Sequence, residues 1–191
     1  MAAGLEHVIG LNAPKETVLQ FVGQTLQLEQ RNLAMNSFIK IIIDKMRMAG
    51  IYALLVKGQG VAQCYEKPNW RSCGDVDLYL SDNNYAAAKV LFSSQASNVD
   101  EEDKRRLHIG MTIDSWVLEL HGSLYTSLSS RINKVLDDVH KSIFYDGSVR
   151  SWINDDVTVF LPSVDNDVII IFSHFINHFY VGGVGLRQIC D

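Results

Sequence analysis

The spacing of apolar residues divides the chain into alternating helical and extended stretches. From Glu16 to Met48 they recur at three and four: Val18, Phe21, Val22, Leu26, Leu28, then Phe38, Ile39, Ile41, Ile42 and Met46. That period predicts helix, either one bent rod or two joined. Pro14 fits the first helical position with Asn12 as cap, and Gly50 marks the stop. Tyr52–Val56 is a short β-like run ended by Lys57-Gly58, and Val61–Tyr65 reads as a short helix. Glu66–Gly74 is a polar loop. Val76–Leu80 reads as a strand and Asn83–Ser93 as an amphipathic helix. The charged stretch 98–106 reads as a solvated connection. His108–Ile113 and Trp116–His121 alternate as strands around a tight turn at Asp114-Ser115. A helix is predicted over 127–141, a strand at Thr158–Leu161, and a strongly apolar helix over 165–180 that Gly182, Gly183 and Gly185 break.

This order predicts an α+β domain, α/β-like in places, with a small mixed β-sheet flanked by helices. Three segments are expected: a helical one over 1–50, a core over 51–161, and a second helical one over 162–191.

Alternation then places the polar residues. Asp75, Asp77 and Tyr79 share one strand face, opposite Val76, Leu78 and Leu80. In the later strand Val117, Glu119 and His121 share one face, opposite Trp116, Leu118 and Leu120. Asp-x-Asp alone reads equally as a solvent-facing edge. Glu119, at matching parity, favours a site: if the strands are neighbours in register, three carboxylates converge. At ~6 Å and an effective dielectric of ~20 each acid pair repels by ~3 kcal/mol. Such a cluster calls for a divalent cation, and hard oxygen ligands with open positions suit Mg²⁺. Upstream, the Lys57-Gly58 turn into a helix has the form of a phosphate-accepting loop, with Lys57 as a point charge and Arg71 in reach. The alternative is a glycine turn bearing a solvent lysine.

His174 and His178 share a helix face. H-x-x-x-H can bind zinc, but the metalloprotease form needs Glu after the first His, and Phe175 stands there. The pair reads as core or cleft-lining, with a zinc hydrolase as a third functional reading. His108 reads as structural. Trp70 either stacks on a base or covers the core. Ser123, Ser127, Ser129 and Ser130 form no nucleophile elbow.

Composition changes this picture little. The 191 residues are 47% hydrophobic and 20% charged, enough for one domain with a real core. A net charge of −5 argues against electrostatic binding of bulk nucleic acid. Three cysteines without CxxC spacing, Cys64, Cys73 and Cys190, read as reduced thiols in a cytoplasmic protein. No stretch reads as a signal peptide or a membrane span.

The segment "LLVKGQGVAQCYEKPNWRSCGDVDLYL", the later "VLELH" and the terminal "HFINHFYVGGVGLRQICD" together resemble the DNA polymerase beta-like nucleotidyltransferase superfamily. Within it they are most similar to bacterial uncharacterised nucleotidyltransferases. The resemblance implies the nucleotidyltransferase fold and transfer of a nucleoside monophosphate from an NTP by a two-Mg²⁺ mechanism. On that mapping Asp75 and Asp77 are metal ligands, and Glu119 is a third ligand or a general base. Lys57, Gly58, Arg71 and Gly74 belong to the nucleotide loop, and His121, His174, His178 and Arg187 are substrate-facing. The superfamily usually has Gly-Ser where this chain has Gly58-Gln59, so a serine contact to the triphosphate is missing. Members are longer, which implies that the domain is truncated. The acceptor stays open among small antibiotic, sugar, protein hydroxyl and tRNA end. A catalytically inactive nucleotide- or protein-binding domain of the same fold is the second reading.

Overall fold

The computed structural model describes residues 14–183. Their first element, α1 (Lys15–Met48), is one continuous helix of 34 residues, about 50 Å long at 1.5 Å per residue. Pro14 sits at its N-cap rather than inside it, and Asn12 lies outside the described residues. The helix ends as its sequence dictates. Gly50 takes φ 71°, the Gly50 N–H bonds to the Arg47 carbonyl, and the Ile51 N–H reaches back to Met46. That pairing is a Schellman cap, closed by the buried Met46 and Ile51 side chains. Only the C-terminal half of α1 carries a full core stripe: Met35, Phe38, Ile39, Ile42, Ile43 and Met46.

After α1 come β1 (Leu54–Val56), the five-residue α2 (Gly58–Ala62), a 3₁₀ turn at Pro68–Trp70, and β2 (Val76–Tyr79). Next are α3 (Asp82–Ser93), β3 (Asn98–Val99), β4 (His108–Ile113) and β5 (Trp116–His121). Then follow α4 (Ser130–Phe144), β6 (Val149–Asn154), β7 (Val157–Pro162) and α5 (Val164–Val181). The strands form one mixed seven-stranded sheet in the order β3-β4-β5-β2-β1-β7-β6. β2 pairs antiparallel with β1 and parallel with β5, and β1 pairs parallel with β7.

Four elements differ from expectation. The short helix expected over Val61–Tyr65 lies at Gly58–Ala62 instead, entered directly from the Lys57-Gly58 turn. β6 was not anticipated: its residues alternate in burial, but Arg150 and Asn154 take inward positions, so the sequence shows no apolar period; a two-residue turn with Asp155 at φ 59° folds it onto β7. The 98–106 connection is ordered as well as charged. β3 pairs with β4, and Glu102 accepts from Tyr85 Oη at 2.9 Å and from Lys89 Nζ at 3.0 Å. The fourth helix starts at Ser130 rather than 127, because Ser129 Oγ accepts from the Ile132 N–H at 3.2 Å and caps it.

The two sheet faces bury different partners. On one, Val76, Leu78, Leu80, Leu118 and Leu120 pack with the core stripe of α1 and with Tyr85, Ala88 and Phe92 of α3. On the other, Leu54, Val56 and Tyr79 meet Val139 and Ile143 of α4 and Ile170 of α5. The second cluster covers only part of that face, and a cavity opens beside it.

Candidate active site

The β2–β5 pairing places the acids. Its parallel register sets Asp77 opposite Glu119 and Tyr79 opposite His121. Asp75 precedes β2 on the same face. All three carboxylates line one cavity of about 490 Å³, together with Lys57, Gly58, Arg71, Gly74, His121, His174 and His178. Arg187 and Cys190 lie outside the described residues.

The Lys57-Gly58 turn is built against this floor. Lys57 adopts φ 55°, ψ −147°, a conformation that L-residues rarely take. Gly58 has φ 29°, and a Cβ there would stand 3.2 Å from the Asp75 carbonyl oxygen, so the turn needs glycine. The strained turn aims Lys57 inward. Its Nζ lies 2.7 Å from Asp77 Oδ1. Arg71 is also buried, and its Nη1 donates to the Gly58 carbonyl at 3.0 Å and to Cys73 Sγ at 3.1 Å. It thereby ties the loop before β2 to the glycine turn. Asn32 of α1 anchors the same loop, with Nδ2 donating to the Asn69 and Arg71 carbonyls, each at 2.7 Å. Gly74 has open space where a side chain would be. Trp70 does not line the cavity, and Lys67 Nζ sits 4.1 Å from its ring centroid.

His121 Nε2 lies 2.8 Å from Asp77 Oδ1 and 3.5 Å from Glu119 Oε2. His108, read from sequence as structural, joins them with Nε2 3.3 Å from Glu119 Oε2 and its ring 4.7 Å from that of His121. The signal for His108 was present. A two-residue turn at 114–115 pairs positions summing to 229, so residue 108 must oppose residue 121, as the hairpin register has it. On the opposite wall, α5 presents His174 and His178 with ring centroids 4.3 Å apart. Neither Cys64 nor Cys73 forms a disulfide.

Charge is unevenly distributed among these groups. Burial works to raise the Asp77 carboxyl, but the Lys57 ammonium and the His121 hydrogen bond outweigh it and hold it below the usual range. Hydrogen bonds from His108 and His121 hold Glu119 well below its ordinary value. Burial opposes the imidazolium of His121, yet Asp77 and Glu119 prevail and raise it. Asp75 goes the other way: burial, then the charges of Asp77 and Glu119, push its carboxyl up. Burial, Lys57 and His178 push His174 down to about 3, so its imidazole is neutral. A hard divalent cation suits this floor: Asp75 is a carboxylate in want of positive charge, beside two acids already ionised.

Among the described residues no helix is long and apolar enough to cross a membrane. No curated protein and no solved structure matches the chain. A family model described as uncharacterised nucleotidyltransferase matches residues 4–191, which span the sheet, both walls of the cavity and every acid on its floor. The chain therefore belongs to this family of uncharacterised nucleotidyltransferases.

Proposed function

We propose that the protein is a Mg²⁺-dependent nucleotidyltransferase that moves a nucleoside monophosphate from an NTP to a hydroxyl-bearing acceptor. The observation that carries this reading is the registered Asp77–Glu119 pair, with Asp75 beside it, in the cavity that the Lys57-Gly58 turn borders. Asp75 and Asp77 would hold Mg²⁺, one ion or two, with Glu119 as third ligand or as base toward the acceptor. The metal would supply Lewis-acid neutralisation of the phosphate charge. Lys57 screens Asp77 and holds a positive charge over the floor where a triphosphate would lie. Arg71 acts by position, keeping the Gly58 carbonyl and its turn in place. His174, neutral and on the facing wall, offers a hydrogen bond to an acceptor without adding charge. His178 stands beside it, and His121 fixes Asp77 and Glu119.

Calorimetric titration of NTPs with and without Mg²⁺ tests the reading. Metal-dependent NTP binding that disappears in Asp75→Asn/Asp77→Asn is expected. Binding that ignores Mg²⁺, or survives the double substitution, would falsify it. The Lys57–Asp77 ion pair favours a second reading, since an acid that already has an internal cation has less need of a metal. In that case the domain binds nucleotide without turnover, and NTP binding occurs with no pyrophosphate release across a broad set of acceptors.

A further inference from the structure

The hairpin of β4 and β5 brings two imidazoles to one carboxylate. His108 Nε2 and His121 Nε2 lie 3.3 Å and 3.5 Å from the same oxygen, Glu119 Oε2. All three donor atoms fall within 4.8 Å of one another, and they form the one such group of three among the described residues. Asp75 and Asp77 are not part of it. These separations are long for charge-assisted hydrogen bonds, which run at about 2.7–2.9 Å. They suit co-ligands of a shared ion. Metal bonds of about 2.1 Å set neighbouring donors about 3.0–3.4 Å apart, for octahedral and tetrahedral angles respectively.

We infer that His108, Glu119 and His121 form a two-imidazole, one-carboxylate site for a first-row transition cation, distinct in ligand chemistry from the carboxylate site proposed for Mg²⁺. Nitrogen donors favour borderline cations such as Co²⁺, Ni²⁺ and Zn²⁺ over the hard, oxygen-seeking Mg²⁺; Mn²⁺, the weakest binder of the first-row series, serves as the paramagnetic probe. Three protein ligands on one side of the ion leave its remaining positions directed to the cavity that these residues line. His121 Nε2 also contacts Asp77 Oδ1 at 2.8 Å. When His121 gives that contact up to a cation, Lys57 Nζ, 2.7 Å from the same oxygen, keeps Asp77 partnered. The short β-turn at Asp114-Ser115, with φ 48° and 69°, fixes the hairpin register on which the site depends. Glu119 is shared with the proposed Mg²⁺ site, but binding here requires no nucleotide.

Titration of the full chain with Mn²⁺ and Co²⁺, without nucleotide, tests the inference. One equivalent of Mn²⁺ should bind, and pulsed electron paramagnetic resonance should show coupling to two imidazole ¹⁴N nuclei. Co²⁺ should give visible ligand-field bands that a hundredfold excess of Mg²⁺ does not erase, a ratio on the order of the selectivity expected of imidazole ligands. His108→Ala should remove one nitrogen coupling and weaken Mn²⁺ binding at least about tenfold. His108→Gln should do the same, and circular dichroism should show both variants folded. Mn²⁺ bound without nitrogen coupling, equal affinity in the folded His108 variants, or no binding at all would each overturn the site. Mn²⁺ bound through oxygen alone, and only with NTP present, would agree with the proposed carboxylate–NTP site while removing this one.

Discussion

The β2–β5 strand pair has two faces with opposite physics. On one, Val76, Leu78, Leu80, Leu118 and Leu120 are each exposed by 1% or less and share one hydrophobic cluster with residues of α1 and α3. On the other, Asp75, Asp77, Glu119 and His121 face a cavity, with Lys57 and His108 beside them. Alternation along eight or so residues separates a surface that stabilises the fold from one that stores charge within it. The difference teaches where stability and function conflict. Removing a methyl group from the first face leaves a void. Removing the Asp75 charge from the second relieves repulsion while deleting a carboxylate that the proposed reaction needs.

The largest test of that contrast is Asp75→Asn. Burial, Asp77 and Glu119 all raise this carboxyl, so its ionised form destabilises the fold at neutral pH. The variant should therefore unfold at an equal or higher urea concentration than the parent. NTP-dependent pyrophosphate release should drop on the order of 10³-fold, about 4 kcal/mol of transition-state stabilisation. A variant that keeps its turnover, or loses stability, breaks the contrast.

Leu118→Ala is the reverse case. Leu118 is fully buried next to the residue that carries Glu119 on the other face. The truncation should cost about 3 kcal/mol in urea unfolding. Mg²⁺ and NTP affinity of the folded fraction should stay unchanged, because the backbone register with β2 still places Glu119. A loss of affinity in the folded molecule would mean that the two faces are coupled through the strand.

A third test concerns pH. The apolar residues of this strand pair carry no group that titrates between pH 4 and 7, whereas His174 is held at about 3 against an ordinary 6.5. The unfolded chain therefore binds more protons at this residue between those values, and its contribution to stability rises with pH across that window and is complete above 6.5. His121 contributes with the opposite sign, because its folded form holds the proton more tightly. The quantity to read is thus the parent minus His174→Asn. That difference in unfolding free energy should grow by on the order of 2 kcal/mol from pH 4 to pH 7. A flat difference would show that His174 is solvated rather than enclosed by the cavity wall.

How far these features were legible in the sequence follows from the range of the forces involved. The alternation of β2 and β5 is local and strong, so the opposing faces could be read directly from "GDVDLYL" and "WVLELH". The β4–β5 hairpin was legible too, because its turn is two residues long and its strands match its flanks. The parallel β2–β5 pairing was open to inference only through shared parity, since Asp77 and Glu119 are 42 positions apart and no local turn fixes their register. Lys57 was read as a phosphate contact, and nothing near it in sequence says that a strained turn would direct it to Asp77. Arg71 likewise depends on where a loop pinned by Asn32 comes to rest. β6 escaped because Arg150 interrupts its pattern. That side chain turns inward to Asp167 of α5 at 2.8 Å, a contact made across a tertiary interface.

The smallest effect sharpens the comparison most closely, because it uses the residue beside Leu118. Val117 lies on the polar face of β5, is 39% exposed, and stands opposite Thr112 in β4. Replacing it with threonine keeps the β-branched shape that suits a strand and exchanges one methyl for a hydroxyl that water can reach. Val117→Thr should shift the unfolding free energy by no more than about 0.5 kcal/mol, whereas Leu118→Thr, which puts the same hydroxyl among Val76, Leu78 and Leu120, should cost several times more. Urea unfolding of the two variants side by side reads the difference between neighbouring positions on one backbone. Equal costs would mean that at this end of β5 the polar face is packed as tightly as the apolar one, and the contrast between the two faces would then be confined to the stretch from Glu119 to His121 that lines the cavity.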